Sequence, residues 1–178
     1  FHETEWSKTG GEFQMVQLWV NLPEKDKMSA PKYQAIKNAD LGRYTFDGGE
    51  VEVIAGEYND AKGAASTFTP IYMLNSKMKK GAKLEFCFPE NYNTGLLVIE
   101  GSISINGTEK APTDHFVLMA NDGEVFSIEA SEDAIVLVLS GEPINEPIAA
   151  HGPFVMNTRK ELVEAWDDFQ AGKFGQLS

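Results

Sequence analysis

The stretch that decides the fold is residues 95–107, GLLVIEGSISING. It places an apolar run ahead of a short alternating run, and it ends in Asn106-Gly107, the dipeptide that most strongly predicts a two-residue hairpin turn. Such a turn requires positive φ at both central residues, which asparagine and glycine tolerate better than other residues. The stretch therefore predicts antiparallel β structure in the middle of the chain.

Similar short runs continue on both sides of this hairpin, and residues that favour turns separate them. The runs are Val51 with Val53, then residues 71–74, 84–88, 115–120, 124–129 and 134–140. Strands at this spacing predict an all-β sandwich or barrel, and they argue against a fold in which strands and helices alternate.

A further run, residues 13–22 (FQMVQLWVNL), lies nearer the N-terminus. Its alternation predicts a strand with two distinct faces. One face carries Val16, Leu18, Val20 and Leu22, and the other carries Met15, Gln17, Trp19 and Asn21. Residues 23–43 are rich in Pro, Lys, Asp and Ala and have weak periodicity, which predicts a linker.

One helix is predicted, over residues 158–171. Thr158 and Glu161 have the spacing of a capping box, in which each side chain accepts a hydrogen bond from the other residue's backbone. Leu162, Trp166 and Phe169 then recur at spacings of four and three, which gives the helix one apolar face. The sequence leaves two alternatives for what packs on this apolar face: the β structure of the chain itself, or a second domain.

The composition limits the function classes. The chain has 178 residues, with 15 Lys and Arg against 27 Asp and Glu, a net charge of −12, which argues against a nucleic-acid partner. No apolar stretch approaches the roughly 18–20 residues of a membrane-spanning helix, and the first residues lack the apolar core of a secretory leader. The single cysteine, Cys87, is typical of a reducing compartment. The sequence thus predicts a soluble, cytoplasmic protein without a membrane partner.

Candidate catalytic groups are few. The three histidines, His2, His115 and His151, are far apart in sequence and lack the spacing of a metal site. No Gly-x-Ser-x-Gly elbow is present, and Cys87 lies within a predicted strand, as a structural cysteine does. From the residues alone we predict no catalytic, cofactor-binding or metal-binding residue in this chain.

Two longer stretches resemble segments of the pirin family. They are residues 13–28, FQMVQLWVNLPEKDKM, and residues 141–158, GEPINEPIAAHGPFVMNT, and the Asp168-Phe169 pair and residues 172–175 (GKFG) follow in the family's order. The resemblance implies a cupin barrel, that is, a double-stranded β-helix or jelly roll, with a C-terminal α-helix. Proteins of this family carry two such barrels in tandem.

The resemblance also implies a division of the chain. The expected parts are residues 1–22 as terminal strands of an incomplete N-terminal cupin barrel, 23–43 as a linker, 44–142 as the C-terminal barrel, and 143–178 as an extension that contains helix 158–171. In the family the first barrel holds iron, or a similar divalent transition metal, through three histidines and one glutamate. The start at Phe1-His2 falls just after the last two ligands, so neither residue is expected to be a ligand.

The C-terminal barrel can be compared with the cupin motif G(X)5HXH(X)3,4E(X)6G. Anchoring the final glycine on Gly101 places Phe88 and Glu90 at the two histidine positions and Thr94 at the glutamate position. The histidine of the second motif falls near Phe126. Only Glu90 is able to bind a cation, so we expect this barrel to be structural, with no cofactor of its own.

Three functions remain open. Proteins similar to this one oxidise flavonols as quercetin 2,3-dioxygenases, and in that case Met15, Gln17, Trp19 and Asn21 are candidate lining residues of the first barrel's cavity. The alternative is a non-enzymatic, metal-dependent regulator that binds a protein partner. The third is a short, metal-free cupin module that associates with a first barrel on a separate chain.

Overall fold

In the computed structural model the chain is described over residues 4–175, with side chains from residue 6 onward. The all-β prediction is confirmed. The strands are β1 Gly42–Phe46, β2 Gly49–Ala55, β3 Glu57–Tyr58, β4 Ala61–Lys62, β5 Ile71–Met78, β6 Lys83–Cys87, β7 Asn93–Glu100, β8 Ser102–Ile105, β9 Glu109–Pro112, β10 Phe116–Leu118, β11 Val125–Ala130, β12 Ala134–Gly141, β13 Ala149–His151 and β14 Phe154–Met156. The α-helices are α1 Thr4–Thr9, which was not predicted, and α2 Arg159–Gln170, and short 3-10 helices span Glu24–Asp26 and Asn38–Asp40.

Two antiparallel sheets enclose the core. The larger sheet has the order β1-β2-β5-β12-β7-β10, and the smaller has the order β6-β11-β8-β9. Each sheet presents one row of apolar side chains to the other, as alternation along a strand requires. The fully buried members include Val51, Leu74, Phe86, Leu96, Val98, Ile103, Ile128, Val136 and Val138. The two short pairs β3–β4 and β13–β14 stand outside these sheets.

The stretch 95–107 is divided at Gly101, so that β7 belongs to the larger sheet and β8 to the smaller one. Gly101 has a φ of +76°, and a Cβ atom there would lie 2.2 Å from the carbonyl oxygen of Asp133. The predicted turn is confirmed: Asn106 and Gly107 have φ of 51° and 71°, and the Thr108 amide donates to the Ile105 carbonyl at 3.1 Å.

The strand predicted at residues 13–22 does not form in this structure, and its place in a first barrel stays a prediction. No residue between 10 and 22 belongs to a strand, and Phe13 and Trp19 are 65% and 66% exposed. A β-strand needs a neighbour for its backbone N–H and C=O groups, and among the described residues no strand pairs with this segment. Alternation alone therefore did not produce a strand here.

Helix α2 forms as predicted. The Glu161 amide donates to Thr158 Oγ1 at 3.3 Å, and the Thr158 amide donates to Glu161 Oε2 at 2.7 Å, which completes the capping box. The helix packs on β13 and β14, two strands that were not predicted. Its apolar face is only partly covered, because Trp166 remains 47% exposed. None of the helices in the described residues has the length and apolarity needed to cross a membrane.

Candidate functional site

The four positions that the cupin motifs assign to metal ligands border one small cavity, of about 60 Å³. Phe88 and Phe126 are buried there, together with Thr94, whereas Glu90 is exposed. The Thr94 hydroxyl lies 2.8 Å from Ser140 Oγ, so that a hydrogen bond already engages both groups. The motif alignment thus identified residues that are neighbours in the fold.

Aromatic rings fill this part of the barrel. The ring centroids of Phe86 and Phe126 are 5.2 Å apart, Phe88 lies 6.1 Å from each of them, and Tyr72 lies 4.8 Å from Phe88. Iron and similar metals require imidazole, carboxylate or thiolate ligands, none of which a phenyl ring supplies. The residues at these positions do not fit a metal of the kind that the family resemblance implies for the first barrel.

The histidines and the cysteine do not converge either. His115 and His151 are exposed on different parts of the fold, and His115 Nδ1 lies 3.1 Å from the Thr113 carbonyl oxygen. Cys87 is exposed at the end of β6, and His2 lies outside the described residues. Within residues 4–175, no group of three or more His, Cys, Asp or Glu side chains is placed to hold a metal ion.

A larger cleft, of about 600 Å³, lies outside the barrel. It separates residues 18–21 from the outward face of the six-stranded sheet. Two of the four predicted lining residues, Trp19 and Asn21, border this cleft, while Met15 and Gln17 are exposed elsewhere. Their place in a first barrel stays a prediction.

The sheet side of this cleft is mostly apolar. Its apolar members include Ile71, Met73, Phe116, Leu118 and Leu139, and the polar residues Asn93, Thr94 and Ser140 also border the cleft. Phe116 and Leu118 are 58% and 73% exposed, and Trp19 opposite them is 66% exposed. Neighbouring exposed apolar side chains make this cleft a candidate interaction site.

A second cavity, of about 380 Å³, lies on the other side of the same segment. Trp19, Val20 and Asn21 border both cavities, so this part of the segment runs between the sheet and the C-terminal hairpin β13–β14. A third groove, of about 510 Å³, lies between α2 and β13, and Ala150, His151, Leu162 and Trp166 are among its lining residues. All three face outward, unlike the closed space between the two sheets.

A charged network occupies the other half of the outward face, near β1 and β2. Glu52 is buried, and its carboxylate accepts from Lys77 Nζ at 2.8 Å, from Asn75 Nδ2 at 2.8 Å and from Arg43 Nη2 at 3.3 Å. Burial alone would raise the pKa of the Glu52 carboxyl, but these hydrogen bonds and the charge of Lys77 hold it below its ordinary value. Hydrogen bonding to Glu52 correspondingly raises the pKa of Lys77.

Sequence reasoning missed both halves of this face. A signal for the apolar half was present in residues 134–139 (AIVLVL), because an unbroken apolar run is typical of a strand that is covered on both faces. A signal for the charged half was present in residues 50–53 (EVEV), where acidic side chains alternate with core valines. The partner strand β5 had no comparable signal.

The two sheets in this order, closed around buried side chains, define a cupin barrel, and Phe88, Glu90, Thr94 and Phe126 are the residues that the motif spacing assigns to its ligand positions. The chain belongs to the pirin family, because residues 73–175 match the model of the pirin C-terminal cupin domain.

Known relatives agree with this assignment. The crystal structure of a quercetin 2,3-dioxygenase from Acinetobacter baumannii has 46% sequence identity and a TM-score of 0.95, and the match covers 100% of this chain and 62% of that one. A Pseudomonas aeruginosa relative is 39% identical over 176 residues, 98% of this chain and 61% of its own length. A pirin-like protein of Solanum lycopersicum is 36% identical over 163 residues, 90% of this chain and 56% of its own. The chain thus spans less than two thirds of the length of these relatives.

Proposed function

We propose that this chain is the metal-free C-terminal cupin part of a pirin-like protein, in which a separate N-terminal barrel holds iron and oxidises a flavonol as a quercetin 2,3-dioxygenase does. One observation carries the proposal: phenyl rings stand at two of the four ligand positions, Phe88 and Phe126, and a third position is occupied by a hydrogen-bonded threonine. A redox metal would therefore be held by residues outside this barrel. The Acinetobacter baumannii relative, a quercetin 2,3-dioxygenase, supports the choice of reaction.

The role of this chain in the proposal is to support the first barrel. The apolar side of the 600 Å³ cleft and the exposed residues 13–20 provide a surface of the kind that packs against another folded unit. The first cupin barrel is the proposed occupant, on the same chain or on a separate one, and Met15, Gln17, Trp19 and Asn21 are candidate lining residues of its cavity. A cytoplasmic location belongs to the same proposal, since a single cysteine suits a reducing compartment.

A regulatory function is the second candidate. The Solanum lycopersicum relative is named a pirin-like protein, and its name states no reaction. In this version the metal of the first barrel shapes a surface that binds a protein partner. The net charge of −12 favours a basic partner over direct contact with nucleic acid.

Metal content and oxygen uptake separate these functions. The 178-residue chain is compared with a chimera that carries, ahead of Phe1, the N-terminal part of the Acinetobacter baumannii relative. Both are assayed for iron by mass spectrometry and for quercetin-dependent oxygen uptake. We expect no stoichiometric iron in the 178-residue chain, and both iron and oxygen uptake in the chimera.

The control is the same chimera after treatment with a chelator, which removes the metal but leaves the polypeptide unchanged. Its oxygen uptake shows how much of the activity depends on the metal. Stoichiometric iron in the 178-residue chain alone would contradict the proposal that this barrel is metal-free. Iron without oxygen uptake in the chimera would favour the regulatory function.

A further inference from the structure

The two stretches that carry the family resemblance, 13–28 and 141–158, meet in the fold through one carboxylate. Glu146 Oε2 accepts a hydrogen bond from the backbone amide of Glu24 at 2.7 Å and another from Asn157 Nδ2 at 3.0 Å. Glu24 and Glu146 are 122 positions apart in sequence. One side chain therefore ties the segment that follows residue 22 to the C-terminal extension.

Asn157 connects this contact to helix α2. Its side chain is buried, and Nδ2 also donates to the carbonyl of Pro147 at 3.1 Å. Its backbone amide donates to Glu161 Oε2 at 3.0 Å, the same oxygen that completes the capping box. The position of Glu146 is thus set by groups that are themselves fixed at the start of the helix.

Lys27 provides a second contact between the same two stretches. Its Nζ donates to Asn21 Oδ1 at 2.6 Å and to the carbonyl of Val155, in β14, at 3.4 Å. Asn21 is one of the residues that run between the sheet and the C-terminal hairpin. Lys27 therefore holds the end of that segment against the hairpin.

These contacts matter because residues 10–22 have no sheet to hold them. Within the described residues they pair with no strand, and most of their side chains are exposed. A segment without backbone pairing or burial gains little free energy from any one position. Its placement over the cleft then depends on the side chains that anchor its C-terminal end.

We propose that Glu146, Asn157 and Lys27 are positioning residues, which form a joint that fixes residues 18–27 against the C-terminal part of the chain and so determines where a first barrel sits. The second half of this statement rests on the proposed function. The first half concerns this chain alone. When residues 18–27 are held in one place, the first barrel of the proposal has a higher effective concentration at the cleft surface on which it docks.

Hydrogen exchange on the 178-residue chain tests the joint directly. The variants are Glu146→Ala, which removes the acceptor, and Asn157→Asp, which replaces the donor by a second carboxylate. We expect exchange in peptides covering residues 20–29 to accelerate about tenfold in both, because a hydrogen bond to a charged group contributes on that scale. Peptides from β12 should keep their protection.

Two further variants provide the control and the conservative replacement. Glu142→Ala removes an exposed carboxylate four residues earlier and should leave exchange in residues 20–29 unchanged. Glu146→Gln keeps a side-chain oxygen that can accept from both the Glu24 amide and Asn157 Nδ2, so this conservative variant should retain most of the protection that Glu146→Ala loses. Retention in Glu146→Gln together with loss in Glu146→Ala would assign the effect to these hydrogen bonds. If Asn157→Asp fails to fold, Lys27→Met, at a side chain outside the core, should accelerate the same peptides.

Unchanged exchange in Glu146→Ala, or equal acceleration in Glu142→Ala, would overturn the joint. A second measurement uses the chimera with the substitution Glu146→Ala. This variant should bind as much iron as the unsubstituted chimera, but it should have a higher KM for quercetin or a lower rate of oxygen uptake. A chimera without iron or oxygen uptake would count against the proposed function, while the exchange result on the 178-residue chain would still decide the joint.

Discussion

Two apolar stretches predict a strand, residues 13–22 and residues 93–100. Only the second forms one, as β7, and only the second has buried side chains. In β7, Leu96 and Val98 are completely buried, and the strand is paired on both sides, by β12 and by β10. In the N-terminal stretch, Phe13 and Trp19 are about two thirds exposed and no described strand lies beside them. The difference shows that a strand pattern is realised only where a neighbouring strand and an opposing face are available.

The same comparison separates two kinds of apolar surface. Apolar side chains fill the space between the sheets, including Phe88 and Phe126 at two of the four assigned ligand positions, and their burial stabilises the fold. The side chains of Phe116 and Leu118 on the outward face, and the apolar side chains of residues 13–20, stay exposed, and we assign them to docking. Substitutions in the two regions should therefore have very different effects on the free energy of unfolding, which variants at Phe86 and Phe13 compare directly.

The largest effect is expected at Phe86, which is 1% exposed and contacts Phe88 and Phe126. Phe86→Ala should lower the free energy of unfolding by about 3–5 kcal/mol, because it leaves a cavity in a closed core. Urea denaturation followed by circular dichroism measures this. Phe13→Ala, the same change in the exposed stretch, should cost less than about 1 kcal/mol. If the two variants lost the same free energy of unfolding, the distinction between a buried core and an exposed segment would be wrong.

A substitution at Gly101 tests the point at which the chain passes from β7 in the larger sheet to β8 in the smaller one. Gly101→Ala should cost about 2–4 kcal/mol, because the added Cβ has a strained positive φ and meets the backbone of Asp133. Gly107→Ala is the matched control, since its φ is also positive but no atom lies within 4 Å of the added Cβ. If thermal denaturation gave the two variants the same loss, the close approach at Gly101 would not matter.

Trp166 is the intermediate case, since it is 47% exposed and its ring contacts Phe154 and Phe169. Trp166→Ala should cost about 1–2 kcal/mol in urea denaturation, in proportion to its partial burial. Val163→Ala, at a more exposed position of the same helix, should cost less than about 0.5 kcal/mol. A loss of about 3–5 kcal/mol at Trp166 would show instead that the chain buries this ring fully.

The smallest effect is expected at Glu52, and it depends on pH. Glu52→Gln should cost about 1 kcal/mol at pH 7, where the wild-type carboxylate accepts its hydrogen bonds. Because folding lowers the pKa of Glu52 from its ordinary value of 4.5, this contribution is complete above 4.5 and is lost as the pH falls through the lower folded value. The difference between wild type and variant should therefore disappear in acid.

The exposed pair of Glu57 with Lys62 is the control for this prediction. Glu57→Gln should change the stability by at most about 0.5 kcal/mol at any pH, because exposed ion pairs contribute little. Unfolding curves measured between pH 2.5 and pH 7 give both comparisons. A Glu52→Gln cost that persists at the lowest pH would assign the effect to packing and not to charge.

Local sequence signals accounted for much of the fold. The turn at Asn106-Gly107 and the cap formed by Thr158 and Glu161 each depend on residues within a few positions of one another, so they could be identified directly. The positions Phe88 and Phe126 were found through the motif spacing. The division of the stretch at Gly101 was not recognised, because it depends on the approach of Asp133 from the turn between β11 and β12.

The sequence by itself determined the all-β class, the cap of α2 and the aromatic residues at the ligand positions. These follow from residue type, from periods of two or nearly four residues, and from a fixed motif spacing. Only the tertiary structure decided that residues 13–22 stay unpaired, that Glu52 is buried among cations, and that Glu146 joins Glu24 to Asn157. Each of these outcomes depends on which distant segment arrives alongside, and no local pattern specifies that.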